Sequence, residues 1–392
     1  MGEAAGHGRG PALEPEAQIV IAVHTADRPI RRAVESVAAA GQGRAAAVVV
    51  CHNMDPAPVR KALAGLDGSA AKVLELNDGI ASPAGPFNFG LRSATAEFVG
   101  IMGSDDALEP GAVAAWLDLA ASTNADVAIA PLRTRSGCPI LTPRARVLRG
   151  PLVDPLKDRL AYRTAPLGLF RRRLLEANQL LLTEGLQTGE DLEFGLKLWF
   201  AGAAIAYRPG LPAYLVGEDA EVRVTSAVLA LKEQFRDVRH LVEGEWFAGL
   251  RPPERDAIAV KLLRGHVLSA ALRRGSGFAW DPADCQELSA LTSEIAAFAP
   301  GSSRALSRPD ADLLAALRGT GSPADVRRAL QRREAAGPLR RSLTRHLADN
   351  LRSEAPLRSN ASSLLASVLG KARRPLRAFP AANSPQGRKD AT

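Results

Sequence analysis

Between residues 18 and 131, short β-branched apolar runs alternate with segments of helical periodicity. This alternation restricts the chain to a layered α/β sheet. "QIVIAV" (18–23), "AAAVVVC" (45–51), "KVLEL" (72–76), "EFVGIM" (97–102) and "DVAIAP" (126–131) have the length and composition of strands buried on both faces. Between the first two, "RPIRRAVESVAAAG" (28–41) puts Ile30, Val34 and Val37 on one helical face, with Pro29 suited to a first turn and Gly41 to the stop. Further helices are expected near 58–66, 88–95 and 110–122. Such units connect right-handedly into a doubly wound, mostly parallel sheet flanked by helices, and ligands bind outside the carboxyl ends of its strands.

Beyond this region, residues 132–165 read as irregular. "LGLFRRRLLEANQL" and "TGEDLEFGLKLWFAG" read as helices, and "AAIAY" (203–207) as a strand. After about residue 228 strand patterns stop. The expected organisation is a flexible leader (1–17), a sheet domain (18–228), an α-helical C-terminal domain (229–370) and a basic, disordered tail (371–392). The net charge of +8 favours anionic partners such as nucleotides, phosphorylated lipids or acidic glycans. No aromatic–basic interleaving of the kind that stacks bases is present, so nucleic acid is not expected. Cys51, Cys138 and Cys285 lie far apart and the histidines form no HxxxH pair, which argues against zinc or a disulfide scaffold. No apolar run is long enough to cross a bilayer, and the N-terminus lacks the hydrophobic segment of a secretory signal. The cytoplasm is the default location, with docking at the inner face of an anionic membrane an open alternative.

The first strand ends in "VHTADRP", with no glycine between Val23 and Gly41. This excludes both the GxGxxG fingerprint and a Walker A loop at the position where a doubly wound sheet would carry them. Another device must handle phosphate charge, and "GSDD" (103–106), at the carboxyl end of the fourth strand, offers one. Hard divalent cations take one or two carboxylates plus substrate phosphates, so Asp105 and Asp106 suit Mn²⁺ or Mg²⁺. The bland alternative is a helix cap at Ser104 or Asp105 with Asp106 solvated. In "TGEDLEFGLKLWFAG", Leu192, Leu196, Trp199 and Phe200 share a helical face and Asp191 lies in the first turn. Thr188 and Asp191 fit a capping box. A carboxylate fixed at a helix start facing a cleft also makes a general base. In "SPAGPFNFGL", Asn88 stands where a loop turns into a helix, able either to contact a ribose or phosphate or to satisfy its own backbone.

This ordered set resembles the family-2 glycosyltransferases of GT-A fold over about residues 17–228. It is carried by "IVIAVHTADRPIRRAVESV", "GPFNFGLRSATAEFVGIMGSDD", "LGLFRRRLLE" and "GEDLEFGLKLWFAG". The resemblance implies an inverting transfer of sugar from a nucleotide-diphosphate donor to a glycan or lipid-linked acceptor, in cell-envelope or polysaccharide assembly. It implies that Asp105 holds the metal, that Thr25, Asp27, Asn53, Asn88, Ser104 and Asp106 contact the donor, and that Asp191 takes the acceptor's proton with Glu190 beside it. The chain departs from the family pattern at Gly103 (usually Asp), at "CHNMD" in place of an acidic run, at Phe87 (often Arg) and at "YLVG" (214–217), which lacks the usual His. Arg223 could supply positive charge to the diphosphate. Two rivals remain at this stage: a nucleotidyltransferase acting on sugar phosphates, and a degenerate GT-A module that only binds. For the helical region the expected roles are dimerisation into a homo-oligomer, acceptor positioning or membrane docking.

Overall fold

The computed structural model describes residues 14–143, 146, 150–217, 229–320 and 322–358. Most of the expected leader, Arg223 and the basic tail lie outside them. Strands β1 (Ala17–Val23), β2 (Ala45–His52), β3 (Ala71–Leu76), β4 (Phe98–Gly103), β5 (Ala107–Leu108), β6 (Val127–Ile129), β7 (Leu132–Thr134), β8 (Pro139–Ile140), β9 (Leu152–Val153), β10 (Gly168–Arg171), β11 (Ile205–Tyr207) and β12 (Tyr214–Val216) form two sheets. The larger has the order β3-β2-β1-β4-β10-β6-β11-β9 and the smaller β5-β12-β7-β8. β1 to β4 run parallel, as do β6 and β11, while β10 and β9 are antiparallel to their neighbours.

Helices α1 (Ile30–Gly41), α2 (Ala57–Ala62), α3 (Ala84–Ser93) and α4 (Ala112–Thr123) cover the sheet. Alternate residues of one strand feed opposite cores. Ile19, Ile21 and Val23 pack with Val34, Val37, Val113 and Trp116 from α1 and α4, whereas Val20 packs with Leu91 of α3. α3 lies so close to the sheet that a β-carbon on Gly90 would stand 2.3 Å from a methyl of Val20. Only a glycine allows this approach, so the Asn-x-Gly pattern is partly a packing signature.

Two stretches differ from expectation. "LGLF" is not helical: Gly168–Arg171 is the strand that joins β4 to β6, and only Arg172–Ala177 (α5) is a helix. Leu169 and Phe170 are buried in opposite cores, the period-two signature that so short a run cannot display unambiguously. The 132–165 stretch contains β7, β8 and β9, strands of two or three residues that leave no periodic trace.

Helix α6 (Asp191–Trp199) joins the two halves of the chain. The residues expected on one face are divided. Leu192 and Leu196 enter the core of the helical region, while Trp199, with Phe194 and Leu198, enters the sheet core. From residue 231 the described residues are helical: α7 (Leu231–Gln234), α8 (Arg236–Glu243), α9 (Glu245–Gly249), α10 (Pro252–Leu262), a π-helical turn (Leu263–Leu268), α11 (Ser269–Arg274), α12 (Pro282–Phe298), α13 (Arg308–Thr320), α14 (Pro323–Glu334) and α15 (Pro338–Ser342). No helix among the described residues is long and apolar enough to cross a membrane.

Candidate active site

The parallel strands β1, β2, β3 and β4 all end at one edge of the sheet, and most of the polar residues singled out by sequence lie there. After β4 the chain turns sharply at Ser104, which is buried, and the Asp106 N–H donates to Gly103 O at 3.2 Å. The two adjacent carboxylates then part. Asp106 points inward, where its carboxylate accepts from the Tyr214 hydroxyl and from the Gly217 N–H at 2.6 Å. Burial pushes its pKa upward against these donors. Asp106 therefore ties the acidic turn to β12. The Gly103 N–H donates to the same Tyr214 oxygen at 3.2 Å. A β-carbon on Gly103 would lie 2.7 Å from Asp106 Oδ2 and 3.1 Å from Asp105 Oδ1. The departure from the usual acidic residue is thus built into the turn.

Asp105 points outward. Its carboxylate pairs with Arg28 at 3.1 Å, and its backbone oxygen accepts from Arg32 of α1 at 2.8 Å. Thr25 is half-buried and Asp27 exposed in the same loop after β1. His24, also there, has its pKa lowered by burial and by the nearby charges of Arg28 and His52, and it feels Asp105 and Asp27 as well. These effects register how closely the ends of β1, β2 and β4 converge.

At the end of β2, Asn53 adopts a left-handed backbone (φ 52°). Its amide accepts from Gly79 N–H at 2.9 Å and donates to Asp78 at 3.2 Å, while His52 contacts the same Asp78 oxygen at 2.8 Å. Burial pushes Asp78 up, but bonds from the Ile80 N–H, His52 and Asn53 outweigh it and leave the pKa lowered. Asp55 instead accepts from the Ala57 N–H at the start of α2. His24, His52 and Asp78 were missed in sequence, although "LND" closes the third strand just as "GSDD" follows the fourth.

Asn88 sits elsewhere. It is fully buried within α3, donating to Leu182 O and to Glu184, both at 3.0 Å, and accepting from the Leu182 N–H at 2.9 Å. It clamps the segment after α5 and faces no cleft. That clamp has a topological role. β10 runs antiparallel, so the chain leaves it at the edge remote from the acidic turn. Residues 180–190 return along α3, held by Asn88 and by Ser82 Oγ donating to Leu186 O at 2.6 Å. The Glu190 carbonyl then accepts from the Thr183 N–H at 2.9 Å, and α6 begins at Asp191.

At the start of α6 no side chain caps the helix, so the expected Thr188–Asp191 box is not formed and Asp191 is left for other work. Burial raises Asp191 to about 6, with Lys261 opposing. Burial also raises Glu190, to about 7, helped by the neighbouring Asp191 charge. A carboxylate that titrates near neutrality accepts a proton more readily than an exposed one. Among the described residues no three His, Cys, Asp or Glu side chains converge on a metal position. The single outward carboxylate of Asp105 matches a cation that draws its remaining ligands from substrate phosphates and water.

A mixed α/β sheet flanked by helices, with an acidic turn after its fourth strand and a half-buried acidic pair opening a later helix, is a GT-A-like fold. Residues 18–178 match the family model "Glycosyl transferase family 2". It is 26% identical over 212 residues to the poly(ribitol-phosphate) β-N-acetylglucosaminyltransferase TarS of Staphylococcus aureus strains Mu50 and MW2, covering 53% of this chain. The chain spans about a third (35%) of the length of those curated relatives. The crystal structure of S. aureus TarS 1–349 in complex with UDP-GlcNAc superposes with a TM-score of 0.66 at 17% identity, over 81% of this chain and 90% of that one. The longer TarS structure gives 0.64 at 18% identity, over 81% of this chain and 55% of that one. The likeness in fold thus extends beyond the family match into the helical region.

Proposed function

We propose that this protein is an inverting glycosyltransferase that moves a sugar from a nucleotide-diphosphate donor to a hydroxyl of a glycan or lipid-linked acceptor in cell-envelope polysaccharide assembly. What supports this reading is the presence, in a chain whose residues 18–178 match the family 2 model, of both an acidic turn after β4 (Asp105) and an acidic pair opening α6 (Glu190–Asp191). Thr25, Asp27, Asn53 and Ser104 line the donor side of the sheet's carboxyl edge, and Arg28 and Arg32 bring positive charge to it. GT-A enzymes typically use a divalent cation. Here Asp105 would hold Mn²⁺ or Mg²⁺, which supplies positive charge to the departing diphosphate. Asp191 accepts the proton of the acceptor hydroxyl as its oxygen bonds to the anomeric carbon and the bond from that carbon to the diphosphate breaks. Glu190 borders the acceptor. Asp106 and Asn88 act indirectly, by fixing the turn and the returning segment.

The TarS name specifies a poly(ribitol-phosphate) acceptor, a polyanion. A chain of net charge +8 suits an anionic acceptor and attachment at an anionic membrane surface. The test is product analysis with a panel of nucleotide sugars led by UDP-GlcNAc, with and without Mn²⁺. Release of nucleoside diphosphate, lost in Asp191→Asn, is expected. Release of pyrophosphate would instead indicate nucleotidyl transfer, and binding without turnover of any donor would indicate a binding module.

A further inference from the structure

The candidate base does not stand on the sheet domain alone. α8 packs on α6, and Asp237 of α8 lies against Gly189, the residue just before the acidic pair. Lys261, at the end of α10, is buried. Its ammonium donates to His266 Nε2 at 2.8 Å, so the imidazole carries its proton on Nδ1, which faces Asp237 Oδ2 at 4.0 Å. Lys261 and His266 are five residues apart. In an α-helix that spacing would place them about 140° apart around the axis. The π-helical turn at Leu263–Leu268, which begins just after Lys261 and contains His266, widens the helix between them, and their contact puts the two on one face. The same turn also carries Leu263, Val267 and Leu268 into the helical core.

We infer that Lys261 and Asp237, carried by the helical region, are positioning residues for Asp191, and that they oppose one another in setting how readily it takes a proton. The inference rests on Asp191 being the base. Charge effects agree with it. Lys261 draws Asp191 down against burial, burial lowers Lys261 itself to about 8, and burial raises Asp237 to about 6. Burial also keeps His266 neutral, far below its ordinary value. The other groups around Asp191 are Glu190 on the same turn, the Glu193–Lys197 pair further along α6, and His240 of α8, which contacts Glu193 at 3.0 Å. Tyr162 lies on a 3-10 turn (Leu160–Tyr162) packed against α6, and Arg264 donates to it at 2.8 Å. None of these puts a second cation as deep as Lys261.

The experiment follows nucleoside-diphosphate release from UDP-GlcNAc as a function of pH, with UDP affinity measured in parallel, on the full chain and on Lys261→Met, Lys261→Arg, Asp237→Asn and Asp191→Asn. Removing the ammonium should move the acid limb of kcat up by about one pH unit, making turnover about tenfold lower near the acid end and much closer to normal at alkaline pH. Asp237→Asn, which frees Lys261 to act on Asp191, should move the limb the other way. Lys261→Arg should keep the limb where it is, and UDP affinity should hold throughout. Coincident pH profiles, or a loss that is uniform across pH, would overturn the inference. If Lys261→Met does not fold, the direction of the Asp237→Asn shift decides. Wild-type turnover in Asp191→Asn would instead show that the base assignment is at fault.

Discussion

Gly189 and Asp237 touch across the junction of the two halves of the chain: a β-carbon on Gly189 would lie 2.3 Å from the Asp237 carboxylate. Gly189 also has φ +79°, a conformation that L side chains rarely adopt. Gly189→Ala should therefore destabilise the protein by about 1–3 kcal/mol from backbone strain alone. It should also push Asp237 away from the acidic pair. Urea unfolding checks the first effect and donor turnover the second. A variant as stable and as active as wild type would contradict the contact.

Asp191→Asn should abolish turnover and raise thermal stability. The folded pKa of Asp191, about 6, is above its ordinary carboxylate value, as is that of Glu190, about 7. Folding therefore favours the protonated forms. Their contribution is fully present at acid pH and is lost as pH rises through about 6 to 7. Neutral asparagine escapes that loss, so its gain in melting temperature should be larger at pH 8 than at pH 5. A scan at the two pH values tests the sign.

In wild type, turnover should fall as pH drops through about 6, where Asp191 takes up a proton and can no longer accept one from the acceptor. Glu190 and Asp191 are adjacent and coupled, so the acid limb belongs to the pair. A rate that is flat from pH 5 to 8, with chemistry shown to be rate-limiting, would remove the carboxylate from the mechanism.

Tyr214→Phe leaves the half-buried Asp106 carboxylate with one donor fewer. The expected cost is about 1–3 kcal/mol, concentrated where Asp106 is ionised. Its folded pKa is already raised by burial, and loss of the hydroxyl raises it further. The deficit should therefore be greater at pH 7 than near pH 4. Equal deficits at both would mean that the hydroxyl contributes packing only.

Asp105→Ala should weaken divalent-dependent donor binding by about ten- to a hundredfold, the scale of one charge-assisted contact. Calorimetry with UDP, with and without Mn²⁺, reads this directly. Donor affinity in the variant should no longer respond to the cation.

The parallel half of the sheet was legible because β1 to β4 are buried on both faces, and their apolar runs stand out from the helices between them. β10 was not. Four residues around Leu169 and Phe170 cannot declare a period, and the arginines that follow suggested a longer helix. The acidic turn was visible as a motif, but the opposite fates of Asp105 and Asp106 depend on Tyr214 and Gly217, which pattern alone does not link to it. Asn88 showed its type without its use, since its partners Leu182 and Glu184 come from a segment whose return path is a tertiary property. Asp237, Lys261 and His266 carry no motif. Only the packing of α8 on α6, and the Lys261–His266–Asp237 contacts beside it, give them meaning.

The seam along α6 also governs how this chain could be cut. A fragment ending after the last strand would keep the whole larger sheet yet expose Leu192 and Leu196, whose partners Val238, Leu241 and Ile258 lie in the part removed. It would carry a raw apolar stripe beside its most sensitive carboxylates. The two halves share this apolar seam, and any graft that exchanged the C-terminal half would have to rebuild that stripe residue by residue before it could hope to change what the protein modifies.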